Sequence, residues 1–86
     1  MTKSATKSRP RLFADFHNAD SQGRLRLNCS GTAQDLDKTG VRLENGLEIV
    51  VYSEELEADA RVFFANDEAL WVAEIDWNKI RRGSGE

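Results

Sequence analysis

The stretch Ala69-Leu70-Trp71-Val72-Ala73-Glu74-Ile75-Asp76-Trp77 decides the fold of this chain. Trp71, Ala73, Ile75 and Trp77 share one parity, while Glu74 and Asp76 fall on the other, which is the period of a half-buried strand. The same period recurs upstream. Ala58, Ala60, Val62 and Phe64 alternate with Asp59, Arg61, Phe63 and Ala65, and Leu47, Ile49 and Val51 alternate with Glu48, Val50 and Tyr52. The polar stretches Ser53-Glu54-Glu55-Leu56-Glu57 and Asn66-Asp67-Glu68 connect these runs, so three strands in an antiparallel meander are expected.

Working further toward the N-terminus, Asn45-Gly46 is a tight-turn signal, because both residues tolerate positive φ. Before it, Thr32-Ala33-Gln34-Asp35 places a hydroxyl at a helix start with a carboxylate three residues on, and Gly40 stands where a helix would end. One short helix is expected there, plugging an end of the domain. Arg24-Leu25-Arg26-Leu27-Asn28-Cys29 and Leu12 to Phe16 alternate as well, and the polar Asn18 to Gly23 segment between them suggests a hairpin with Leu25, Leu27 and Cys29 inward. Residues 1–10 are rich in Ser, Thr and Lys, end in the only proline and read as a disordered basic arm. Residues 81–86 read as a flexible tail. The expected architecture is therefore mainly β: a five-stranded antiparallel barrel over residues 11–80, with the helix between strands 2 and 3.

Gly46-Leu47-Glu48-Ile49-Val50-Val51-Tyr52, Ala60-Arg61-Val62-Phe63 and Trp71-Val72-Ala73-Glu74-Ile75-Asp76 together resemble the central strands of SH3-like barrels. The resemblance covers about the last half of the chain and implies a fold, not a site, because the proline-groove signature and paired aromatics of peptide-binding SH3 domains are missing. Asp20-Ser21-Gln22-Gly23-Arg24-Leu25-Arg26-Leu27-Asn28-Cys29 looks like a segment of uncharacterised small bacterial proteins, and this implies no activity.

An 86-residue chain has room for one small core, and seven aromatic residues must supply much of its area. The single cysteine, Cys29, cannot form an internal disulfide, and no paired Cys and His positions suggest a structural zinc. The net charge of −3 conceals an asymmetry: residues 12–80 hold six basic against fourteen acidic residues, a balance of −8, whereas residues 1–11 hold four basic residues and no acid. An acidic body repels phosphates on average, so a basic partner suits it better than nucleic acid. No apolar stretch has the length of a membrane span, and the N-terminus lacks the apolar region of a secretory signal, so a cytoplasmic location is expected.

Catalytic chemistry finds little support. Cys29 and His17 are each unique, but strand parity sets them on different faces, which favours a structural thiol over a nucleophilic pair. Asp15, His17 and Asp20 carry ligand types suited to a divalent ion, yet the same spacing suits a solvated loop in which Asp20 makes an Asx turn. No catalytic residue, metal or cofactor is expected. Two binding surfaces compete. Tyr52, Phe63 and Glu74 place aromatics among acids on the meander, with Trp77 as a further exposed contact, and suit a protein partner with a basic surface. Arg24 and Arg26 share a strand face and could join the basic arm in a stripe for nucleic acid or a ribosomal partner. The discriminating feature is the arginines: a continuous positive stripe favours nucleic acid, and arginines paired to acids favour a protein-interaction module.

Overall fold

The computed structural model of the chain describes residues 9–82. It is mainly β, with one curled sheet of half-barrel shape, one α-helix and a short 3-10 turn at Trp77–Lys79. The strands are β1 (Arg11–Phe13), β2 (Leu25–Arg26), β3 (Glu48–Tyr52), β4 (Leu56–Ala65), β5 (Leu70–Ile75) and β6 (Arg81–Arg82), and the helix α1 (Ser30–Thr39) lies between β2 and β3. The sheet order is β1-β3-β4-β5-β2, with β6 paired to the start of β4. The meander is antiparallel throughout. Tyr52 faces Glu57 across β3 and β4, and Phe63 faces Val72 across β4 and β5. Alternation then directs Ile49, Val51, Ala58, Ala60, Val62 and Ala73 into the core, where they meet Leu12, Ala14, Phe16, Leu25 and Leu27.

The first two strands do not form the expected hairpin. β1 runs parallel to β3, with Leu12 opposite Val51, while β2 lies antiparallel to β5, with Leu25 opposite Ala73. The segment that would have zipped the hairpin is consumed by two Asx turns. Asp15 accepts from the His17 amide, and Asp20 accepts from the Gln22 and Arg24 amides, so only Ala19 pairs with Leu25 across it.

The helix differs from expectation at its start. It begins at Ser30 with Cys29 as an N-cap that supplies no side-chain bond, and Thr32 lies inside the first turn, fully buried. The Thr32 hydroxyl donates to the Phe13 carbonyl, and the Asp35 carboxylate accepts from the Phe13 amide at 2.9 Å. β1 turns Pro10 and Ala14 toward β3, so the polar groups of Phe13 point to the open edge. The spacing that resembles a capping box therefore serves to cover a strand edge, a role in which a third strand would otherwise be needed. Gly31 allows the approach: a Cβ there would lie 2.5 Å from Cδ2 of Phe13. Gly40, at φ 70°, ends the helix as its sequence position suggests, and Gly46, at φ 88°, forms the turn after Asn45.

At the termini, Arg9 and Pro10 belong to the ordered sheet margin, since Pro10 accepts from the Val50 amide and Arg9 reaches Glu48 and Asp59. The remainder of the expected arm lies outside the described residues. Arg81 and Arg82 form β6 rather than tail, and residues 83–86 lie outside the description.

Candidate interaction face

The outer face of the sheet is a lattice of charges set by register. Glu57 on β4 accepts Arg11 of β1 at 2.8 Å and Arg81 of β6 at 3.2 Å. Asp59, two residues on, meets Arg81 and Arg9, and Glu48 of β3 meets Arg9 at 3.3 Å and Arg61 at 3.0 Å. Each guanidinium favours the carboxylate form beside it. Hydrogen bonds from Arg11 and then Arg81 hold Glu57 below the usual carboxylate range, and Arg61 followed by Arg9 does the same for Glu48. This part of the meander is consequently charge-compensated.

Tyr52 and Phe63 lie on the same outer face but do not meet. Tyr52 stands opposite Glu57, six residues along β4 from Phe63, a separation of about 20 Å at strand rise. Its ring lies beneath the Arg11 guanidinium, 4.8 Å from the centroid, and edge-on to Phe13. Its hydroxyl donates to Asp35 at 2.5 Å, and that bond, with burial and the nearby negative charge, raises the phenol above its ordinary pKa. Tyr52 is thus a tie between sheet and helix. Phe63 and Glu74 are diagonal neighbours across β4 and β5, because Phe63 pairs with Val72. Arg61 is the register partner of Glu74 but turns to Glu48, so Glu74 is exposed with no basic side chain within 4 Å among the described residues. Trp77 lies beyond β5, 46% exposed, with its indole N–H donating to Gly23 at 2.7 Å and its ring edge-on to Phe16.

Both arginines of the competing surface are committed to acids. Arg24 donates to the buried Asp20 carboxylate at 2.8 Å, and Arg26 grips Glu68 through two bonds of 2.7 and 2.9 Å. The Glu68 bonds raise the Arg26 pKa, and reciprocally Arg26 lowers that of Glu68. For Asp20, burial alone would push the carboxyl up, but the Arg24 and Gln22 amides and the Arg24 side chain outweigh it and hold the pKa below the usual value.

The remaining chemical candidates are dispersed. Asp20 is spent on its own loop, and among the described residues no group of three or more His, Cys, Asp and Glu is arranged to hold a metal ion. His17 is almost wholly exposed, 3.5 Å from Asp15, and the Cys29 thiol is 3.1 Å from the Thr32 hydroxyl. Among the described residues, no helix is long and apolar enough to cross a membrane. No family model, curated protein or solved structure matches this chain.

The sequence assigned Asp35 to a helix start, Leu56 and Glu57 to an acidic connection and Arg9 to a basic arm, whereas in the fold Asp35, Glu57 and Arg9 organise the face and Leu56 lines a groove with Phe13 and Phe16. Their pairing partners lie 17 to 50 positions away. Nothing in local periodicity identifies such partners.

Proposed function

We propose that this protein is a non-catalytic protein-interaction module that contacts a partner bearing a basic surface through the Phe63 and Glu74 part of its outer sheet face. The observation that carries this reading is the pairing of Arg24 and Arg26 with Asp20 and Glu68, which replaces the positive stripe that nucleic acid would need. Among the described residues, nine acids lack an Arg or Lys within 4 Å, Glu74, Asp76, Asp67 and Glu54 among them, against four basic residues, Lys38, Arg42, Lys79 and Arg82, without an acid. Compensation therefore leaves a residual negative field that attracts a basic partner. Phe63, half-buried beside that field, supplies apolar contact area. The SH3-like barrel is proposed as the architecture behind the module, supported by the β3-β4-β5 meander and its curl; the parallel β1 and the order of the sheet depart from it. A cytoplasmic setting belongs to the same proposal.

The test is capture of partners by the full chain from its native cell, with and without nuclease, comparing Phe63→Ala/Glu74→Gln with Arg24→Ala/Arg26→Ala. Nuclease-resistant capture lost in the first variant supports the module. Capture abolished by nuclease, with affinity falling steeply in log-log form as salt rises, would replace it with nucleic-acid binding. The arginine variant must first be shown to be folded, since Arg24 neutralises a buried carboxylate.

A further inference from the structure

A second surface, at the opposite end of β4 from Phe63, has its own chemistry. The segment leaving β1 and the β3–β4 turn enclose a groove of about 290 Å³. Its floor is apolar: Phe16 is buried, and Phe13 and Leu56 are half-buried. Its rim is acidic. Asp15 and Glu54 are both exposed and come from different segments, and neither has an Arg or Lys within 4 Å among the described residues. Asp15 spends Oδ1 on the His17 amide, which leaves Oδ2 for a ligand, and among the described residues the Glu54 side chain has no hydrogen-bond partner. Ser53 lines the same groove.

We infer that this groove takes a lysine side chain from a basic segment of the partner protein, with the alkyl stem on Phe13, Phe16 and Leu56 and the ammonium between Asp15 and Glu54. Such a side chain is apolar along four methylenes and charged at its tip, which matches an apolar floor with carboxylates at the mouth. Two carboxylates on separate segments suit a compact ammonium that can donate in several directions better than a planar fork. The inference rests on the reading of the protein as an interaction module, but the groove lies apart from the Phe63 and Glu74 contact. The two can therefore fail separately.

The experiment is a titration of isotopically labelled full chain with acetyl-Gly-Gly-Lys-Gly-Gly-amide, followed by amide chemical shifts. A parallel titration uses the peptide with norleucine in place of lysine. Saturable shifts at His17, Ser53 and Leu56 are expected, and norleucine should bind about tenfold more weakly because it lacks both ion pairs. Glu54→Gln should weaken the lysine peptide about twofold to fivefold, the range for one exposed pair. Asp15→Asn should do likewise while keeping the acceptor for the His17 amide. Spectra of both variants should overlay the parent away from the groove. Equal binding of the two peptides, or no saturable shift in the groove, would overturn the inference. Shifts gathered at Phe63 and Glu74 instead would overturn the groove while leaving the module standing.

Discussion

Tyr52 is the only tyrosine in the chain, so its ionisation can be followed alone through phenolate absorbance. The bond to Asp35 raises its pKa in the folded state above the ordinary value of about 10. With the folded value above the unfolded one, the bond stabilises the fold fully below that ordinary value and is lost as pH rises through the folded value. Asp35→Asn should bring the titration midpoint back toward the ordinary value. An unchanged midpoint would mean that Asp35 is not the cause. Asp20 has the opposite sign. Its folded pKa is depressed, so its stabilisation is present above the unfolded pKa of about 4 and disappears as pH falls through the folded value. Asp20→Asn removes a charge that accepts three N–H bonds in a buried loop and should cost about 1.5–3 kcal/mol at neutral pH. Denaturant titrations of the variant should also show a shallower acid limb than the parent.

The helix α1 holds little apolar surface of its own, with Thr32 as its one buried residue, and it is fastened chiefly to β1, with the Tyr52 hydroxyl of β3 as a further tie through Asp35. Ten residues with so small an apolar face would not persist alone in water. Its docking depends on Gly31 lying directly against the Phe13 ring, which is held in turn by Tyr52. Gly31→Ala gains helix propensity but overpacks that contact, and a net loss of about 1–3 kcal/mol in urea unfolding is expected. Gln34→Ala, exposed on the same helix, should stay within about 0.5 kcal/mol. If the two variants unfold alike, the close approach does not constrain the helix.

At the scale of the whole molecule, three strands meet through Glu57, which joins β1, β4 and β6 by way of Arg11 and Arg81. Exposed ion pairs weaken with salt, and at about 1 M the screening length is near 3 Å. Glu57→Gln should therefore lower the denaturation midpoint more at low salt than in molar salt; an equal loss in both would mark its role as packing. The inward faces of β3 and of most of β4 were legible in the residues themselves, as were the glycine-marked ends at Gly40 and Gly46, whereas Phe64 on the inward parity of β4 is exposed and Val72 on the outward parity of β5 is buried. Alternation and tolerance of positive φ are local properties, carried by each side chain wherever it is placed. What period two does not encode is which strand lies beside which. The parallel union of β1 with β3 and the pairing of β2 with β5 depend on the joint burial of Leu12, Val51, Leu25 and Ala73, residues far apart in the chain. The same holds for Thr32 and Asp35, whose spacing suggests a helix cap, and for the arginines, whose alternation suggests an open basic face. Only the folded arrangement brings a strand edge to the first pair and carboxylates to the second, and unsatisfied polar groups and unpaired charges take the partners that tertiary contact sets beside them.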